Sequence, residues 1–154
     1  MCLSRSFRFA RSFGHDKAGA SAVEFALILP IAVALLIGTI DLGRMTWTKM
    51  EVQAAARAGA NYALVNASKG FDAAKVASAV TSATGLVVTL PQQPVKEFGC
   101  PDAAMGVITV ANGTTPCSSG QTPGSYVTVQ ASTDFTPIWF SAVTLSAIAK
   151  VRIS

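Results

Sequence analysis

The residue types that carry most enzyme chemistry are thinly spread in this 154-residue chain. Its single histidine, His15, stands in a basic N-terminal stretch, so residues 20–154 hold no imidazole for a Ser-His-Asp or Cys-His arrangement. Glu97, Asp102 and Asp134 are carboxylates capable of acid/base work, but no local spacing joins them into a pair, and they read as solvated loop acids. No phosphate-cradling glycine loop, metal-binding helix motif or calcium-loop pattern appears. The expectation is therefore no cofactor, no metal and no catalytic residue. Cys100 and Cys117 have another use: in an oxidising compartment they could pair, and closing that loop is worth about 3 kcal/mol in chain-entropy accounting. Two cysteines without a histidine supply too few ligands for zinc, so a disulfide is the preferred reading.

The remaining residue of chemical interest is Glu24, the only ionisable side chain in the 21 residues from Ala20 to Ile40. A helix of about 20 apolar residues crosses a hydrocarbon core about 30 Å thick, so this run is long enough to span a membrane. A carboxylate inside such a span costs about 2.5–3.5 kcal/mol when central and less near an interface. Two readings stay open from the residues alone: Glu24 reaches the headgroups from the helix end, or it meets a compensating partner.

Composition and charge fit a membrane-attached protein. Hydrophobic residues make up 51% of the chain and charged residues 13%, against about 25% charged in soluble domains. The net charge of +4 is not spread as a nucleic-acid surface requires. Three of those four charges sit in the first 19 residues, where Arg5, Arg8, Arg11 and Lys17 face one acid, Asp16, and residues 20–154 carry only +1. That basic head outweighs the mixed Asp41, Arg44, Lys49 and Glu51 behind the apolar run, so the positive-inside rule keeps the head cytoplasmic and carries the rest across. Cys2 is then separated from the other two cysteines. The residues after Ile40 do not form a signal-peptide cleavage site, which favours a retained anchor.

The stretch Lys17-Ala18-Gly19-Ala20-Ser21-Ala22-Val23-Glu24-Phe25-Ala26-Leu27-Ile28-Leu29-Pro30 resembles the processing and N-terminal helix motif of the TadE-like family. These are minor pilins or pseudopilins of the tight-adherence (Tad) pilus, within the wider type IV pilin-like group. The resemblance continues through Gly38 to Arg44 and the small-residue run Val52 to Ala60, and reaches the closing strands only loosely. It implies that a prepilin peptidase cuts after Gly19, leaving Ala20 as the new N-terminus and Glu24, followed by Phe25, as the fifth mature residue. It also implies assembly partners: other pilin and pseudopilin subunits and the inner-membrane pilus assembly platform, with membrane lipid around the span. The implied place is the bacterial inner membrane in a single pass, with a periplasmic C-terminal domain, and the wider roles are adhesion and biofilm formation. An uncleaved single-pass protein with a periplasmic ligand- or protein-binding domain is the alternative; it has the same topology and needs no cut at Gly19.

The expected fold is α+β: a long N-terminal transmembrane helix leading into a small periplasmic domain whose antiparallel sheet packs on helix. The expected divisions are a basic leader at 1–19, the span at 20–42, a periplasmic continuation of the helix at 43–68 and an α/β domain at 69–154. Pro30 is tolerated in a membrane helix. Val52, Ala55, Ala56, Gly59 and Ala63 recur at helical spacing as a small-residue stripe. Their expected use is to seat the helix on its own domain, ahead of a contact between subunits.

Asp72 is placed to cap a short helix ending near Ala83, followed by a β-rich run from Leu86 to Leu90. Pro91, Pro94, Gly99 and Pro101 predict a long loop. Further strands are expected at 106–111, 126–131 and 145–153, with Val127, Val129 and Ala131 on one face and Leu145, Ala147, Ala149, Val151 and Ile153 on another. Phe135, Trp139 and Phe140 are expected to close the end of the core, in preference to forming an exposed contact patch.

Overall fold

In a computed structural model of the protein, residues 17–102 and 106–154 are described. The dominant element is one uninterrupted helix, α1 (Lys17–Val65), with Pro30 in its interior. The chain divides into two units within this helix, one ending at Ile40 and the other running from Asp41 to Ser154.

In the first unit the run of Ala, Leu, Ile and Val has strong helix formers and few breakers. Every residue from Ser21 to Ile31 is exposed. The Thr39 hydroxyl is handled locally, its Oγ1 donating to the carbonyls of Leu35 and Leu36 at 3.0 and 2.8 Å. Such back-bonding lets a polar side chain sit in an apolar helix without an outside partner.

The second unit contains the rest of α1, a one-turn 3₁₀ helix (Ala67–Lys69), α2 (Ala73–Ser82) and four strands. These are β1 (Val95–Asp102), β2 (Gly106–Val110), β3 (Gly124–Phe135) and β4 (Val143–Arg152). They form one fully antiparallel sheet in the order β2-β1-β3-β4. The α+β class and the sheet packed on helix are as the sequence predicts. α2 begins where expected, because the Asp72 carboxylate accepts the backbone N–H groups of Ala74 and Lys75 at 3.0 and 3.2 Å.

The core lies between helix and sheet. Val52, Ala55, Ala56, Ala60 and Ala63 of α1 pack with Val76 and Val80 of α2, Val127, Val129 and Ala131 of β3, and Ala147 of β4. The alternation read along β3 and β4 is thus the inward face of the sheet, and the small-residue stripe seats α1 on its own domain. Gly59 sets the closeness of that approach: a β-carbon there would collide with Val80 Cγ2 and stand 3.2 Å from Val129 Cγ1. Lys49 adds a polar tie, its Nζ donating to the Ser146 carbonyl of β4.

Two segments depart from the sequence expectation. Leu86–Leu90 is not a strand; it meets β3 through one bridge, Thr89 to Ser132, with two backbone hydrogen bonds of 2.8 Å. Pro91, which lacks an N–H, follows at once, and the Val87 carbonyl is taken by the Thr133 hydroxyl at 2.8 Å, so the ladder does not extend. The region predicted as a long loop instead contains β1. Pro101 lies past the last pair of β1 with β3, Gly99 opposite Gly124, where the strand has β2 as its one neighbour, with Val107 opposite Pro101.

Candidate functional site

The residues singled out for maturation and assembly all lie in the first unit. Gly19 and Ala20 are within the first turn of α1; Gly19 is exposed. Glu24 and Phe25 are exposed a turn further on, and Glu24 has no ion-pair partner among the described residues. The part of the expected leader that precedes Lys17, with Cys2, His15 and Asp16, lies outside the described residues.

The helix carrying these residues is long and apolar enough to cross a membrane, and its most apolar window buries nothing against protein. A surface of exposed Val, Leu, Ile and Phe this extensive is unfavourable in water and favourable in hydrocarbon.

The cysteine pair is in the second unit. Cys100 on β1 and Cys117 in the loop after β2 form a disulfide with their Cα atoms 5.6 Å apart, and both are buried. It fastens a turn-rich segment to the sheet; Asn112 helps by accepting the N–H groups of Thr114 and Thr115 through its Oδ1. Glu97, Asp102 and Asp134 do not converge. Glu97 sits 3.6 Å from Lys150 Nζ, while Asp134 accepts the Thr144 hydroxyl at 2.7 Å, so both serve sheet contacts. Among the described residues, no three His, Cys, Asp or Glu side chains gather as metal ligands would.

Asp41 is the residue whose importance sequence reasoning missed, having been counted only as one of the charges after the apolar run. It is 4% exposed. Its Oδ2 accepts the backbone N–H groups of Ile138 and Trp139 at 2.8 and 3.3 Å, across 97 and 98 positions of sequence. Oδ1 is buried without a hydrogen bond and faces Arg44 Nη1 at 3.5 Å, an ion pair that offsets the burial of the charge. The available signal was an acid at the exact end of an apolar run, but its partners lie in the last fifth of the chain.

Asp41 also explains a correction to the aromatic cluster. Only Phe135 is buried as expected, with the Arg44 guanidinium carbon 5.4 Å from its ring centroid. Trp139 and Phe140 are 62% and 69% exposed, beside Ile138 at 62%. The cause is backbone accounting: β3 ends at Phe135, Pro137 offers no donor, and the next two N–H groups are satisfied by the Asp41 carboxylate. That arrangement turns the loop away from the core.

Residues 19–61 match the family model described as TadE-like protein. The match begins at the residue before the expected new N-terminus and ends within the small-residue stripe of α1, so it covers the apolar helix and its seating on the sheet. No curated protein matches the chain. No solved structure matches it either.

Proposed function

We propose that the protein is a minor pilin or pseudopilin needed for assembly of a Tad pilus. The observation carrying this reading is the coincidence of the TadE-like match with a helix whose apolar surface is left uncovered by its own chain. In this reading residues 20–42 hold the subunit in the bacterial inner membrane, with residues 1–19 cytoplasmic and the sheet periplasmic, where the Cys100–Cys117 disulfide is stable.

Maturation is by a prepilin peptidase acting between Gly19 and Ala20. The cut leaves a free amine at Ala20, and that amine on one subunit compensates Glu24 of a neighbour within a bundle of helices. Either charge alone is costly in hydrocarbon, so their pairing sets axial register. The exposed position of Glu24 in the single chain agrees with a partner supplied in trans. The subunit then enters, initiates or primes the fibre through the assembly platform and other pilins, with adherence and biofilm formation as the downstream roles.

The test is the N-terminal sequence and intact mass of the membrane-extracted protein, from cells with and without the matching prepilin peptidase. The expected result is an N-terminus at Ala20 that requires the peptidase. An intact leader in both strains overturns the maturation pathway and favours an uncleaved anchor with a periplasmic binding domain.

A further inference from the structure

Ile138, Trp139 and Phe140 are three consecutive large apolar residues whose side chains are left exposed by the rest of the chain. Their backbone is nevertheless held, because Ile138 and Trp139 donate to the buried Asp41 carboxylate. Asp41 is the residue at which the apolar run ends, directly after Ile40. The 21 residues from Ala20 to Ile40, at about 1.5 Å per residue, match the thickness of a hydrocarbon core, so the Asp41 carboxylate falls at the level of its boundary. The loop tied to that carboxylate falls at the same level. Tryptophan is favoured at this depth because its ring is apolar while its N–H donates a hydrogen bond to the wet side. One turn further along α1, the half-exposed Arg44 is suitably placed to meet lipid phosphate.

We propose that the Ile138–Phe140 loop is a second membrane contact, inserting Trp139 and Phe140 into the interfacial layer of the leaflet from which α1 emerges, with phospholipid as the ligand. The inference rests on residues 20–40 spanning the bilayer. Its consequence is that the sheet is attached to the membrane surface at two places, by α1 and by the loop, which restricts its tilt. Asp41 couples the two, since one carboxylate belongs to the helix and fixes the loop backbone.

The chain has two tryptophans, Trp47 and Trp139, which makes a direct test available. The full-length Trp47→Phe protein, reconstituted in phosphatidylcholine vesicles, reports Trp139 alone. With lipids brominated high in the acyl chain, about half of its emission is expected to be lost, with less quenching by lipids brominated near the chain end. The Trp139→Phe protein reports Trp47, six positions beyond Asp41 and so about 9 Å farther along the helix, where weaker quenching is expected. Trp139 emission that is indifferent to bromine overturns the proposal. Shielding of Trp139 from aqueous iodide without bromine quenching also overturns it, and assigns the loop to a protein contact. Alkaline carbonate washing of the same vesicles separates the two levels of the argument. A chain that stays with the lipid while Trp139 is unquenched refutes the loop contact alone, whereas a chain that washes off refutes the membrane span as well.

Discussion

The two ends of α1 are built from similarly apolar residues and put them to opposite uses. From Ser21 to Ile31 every position is exposed, and the side chains are large: Val23, Phe25, Leu27, Ile28, Leu29 and Ile31. From Val52 to Ala63 the buried positions are almost all alanine or glycine, and they face α2, β3 and β4. Bulky side chains around a whole helix suit a fluid apolar solvent that fills any shape. A stripe of small ones suits a fixed surface, where the separation of backbones is set by what stands between them. One helix therefore carries two kinds of apolar surface, and among the described residues only the second is covered.

This contrast can be broken from the span side with the largest effect. Ile31→Lys places a charge near the middle of the apolar run, where insertion should become about 3 kcal/mol less favourable. The inserted fraction in a glycosylation-tagged insertion assay should fall accordingly. The second unit should keep its unfolding midpoint, because Ile31 is outside it; a matching loss of sheet stability would mean that the two burials are not separate.

From the sheet side, Gly59→Val forces a branched side chain against Val80 and Val129. It should destabilise the second unit by about 2 kcal/mol, read as a lower urea midpoint for the near-ultraviolet circular dichroism of the full chain in detergent. Membrane insertion should be unchanged. An unaltered midpoint would show that α1 can draw back from β3 at little cost.

The smallest effect sharpens the picture of the second unit alone. The Asp72 carboxyl is held below its ordinary value, first by the Lys75 backbone N–H it accepts, against an opposing desolvation, with the Lys75 ammonium and the Ala74 N–H adding to the lowering. A lowered carboxyl contributes stability that is complete above its unfolded value, near about 3.9, and is lost as pH falls through the lower folded value. Acid titration below about pH 4 should therefore loosen the N-terminus of α2. Amide exchange at Ala74 and Lys75 is the readout, and Asp72→Asn, which caps without titrating, should remove the pH dependence.

Much of this architecture was legible along the chain. The apolar run from Ala20 to Ile40, the Asp72 cap and the alternation of Val127, Val129 and Ala131 each depend on neighbours within a few residues, so local pattern reveals them. Strand β1 was hidden because Pro94, Gly99 and Pro101 are ordinary loop signals. Pro94 in fact precedes the strand, and Pro101 lies past the pairing with β3, whose first residue, Gly124, is more than twenty positions away. The extended tract at 86–90 failed in the opposite way: its residues suit a strand, but Pro91 follows and only Thr89 finds a ladder partner on β3. The maturation residues Gly19, Ala20, Glu24 and Phe25 were read from a motif, and their proposed contacts lie in a peptidase and in other subunits, beyond what one chain displays.

By itself the sequence determined that one segment is long and apolar enough to cross a membrane, since its 21 residues are mostly hydrophobic with one ionisable side chain. It determined as well which cysteines were available to pair. Only the tertiary structure decided that Trp139 and Phe140 face outward while Phe135 is buried, and that Asp41 is the residue holding them so. The physical reason is that burial in hydrocarbon is a property of composition and length, whereas the direction of a loop depends on which distant group accepts its backbone hydrogens.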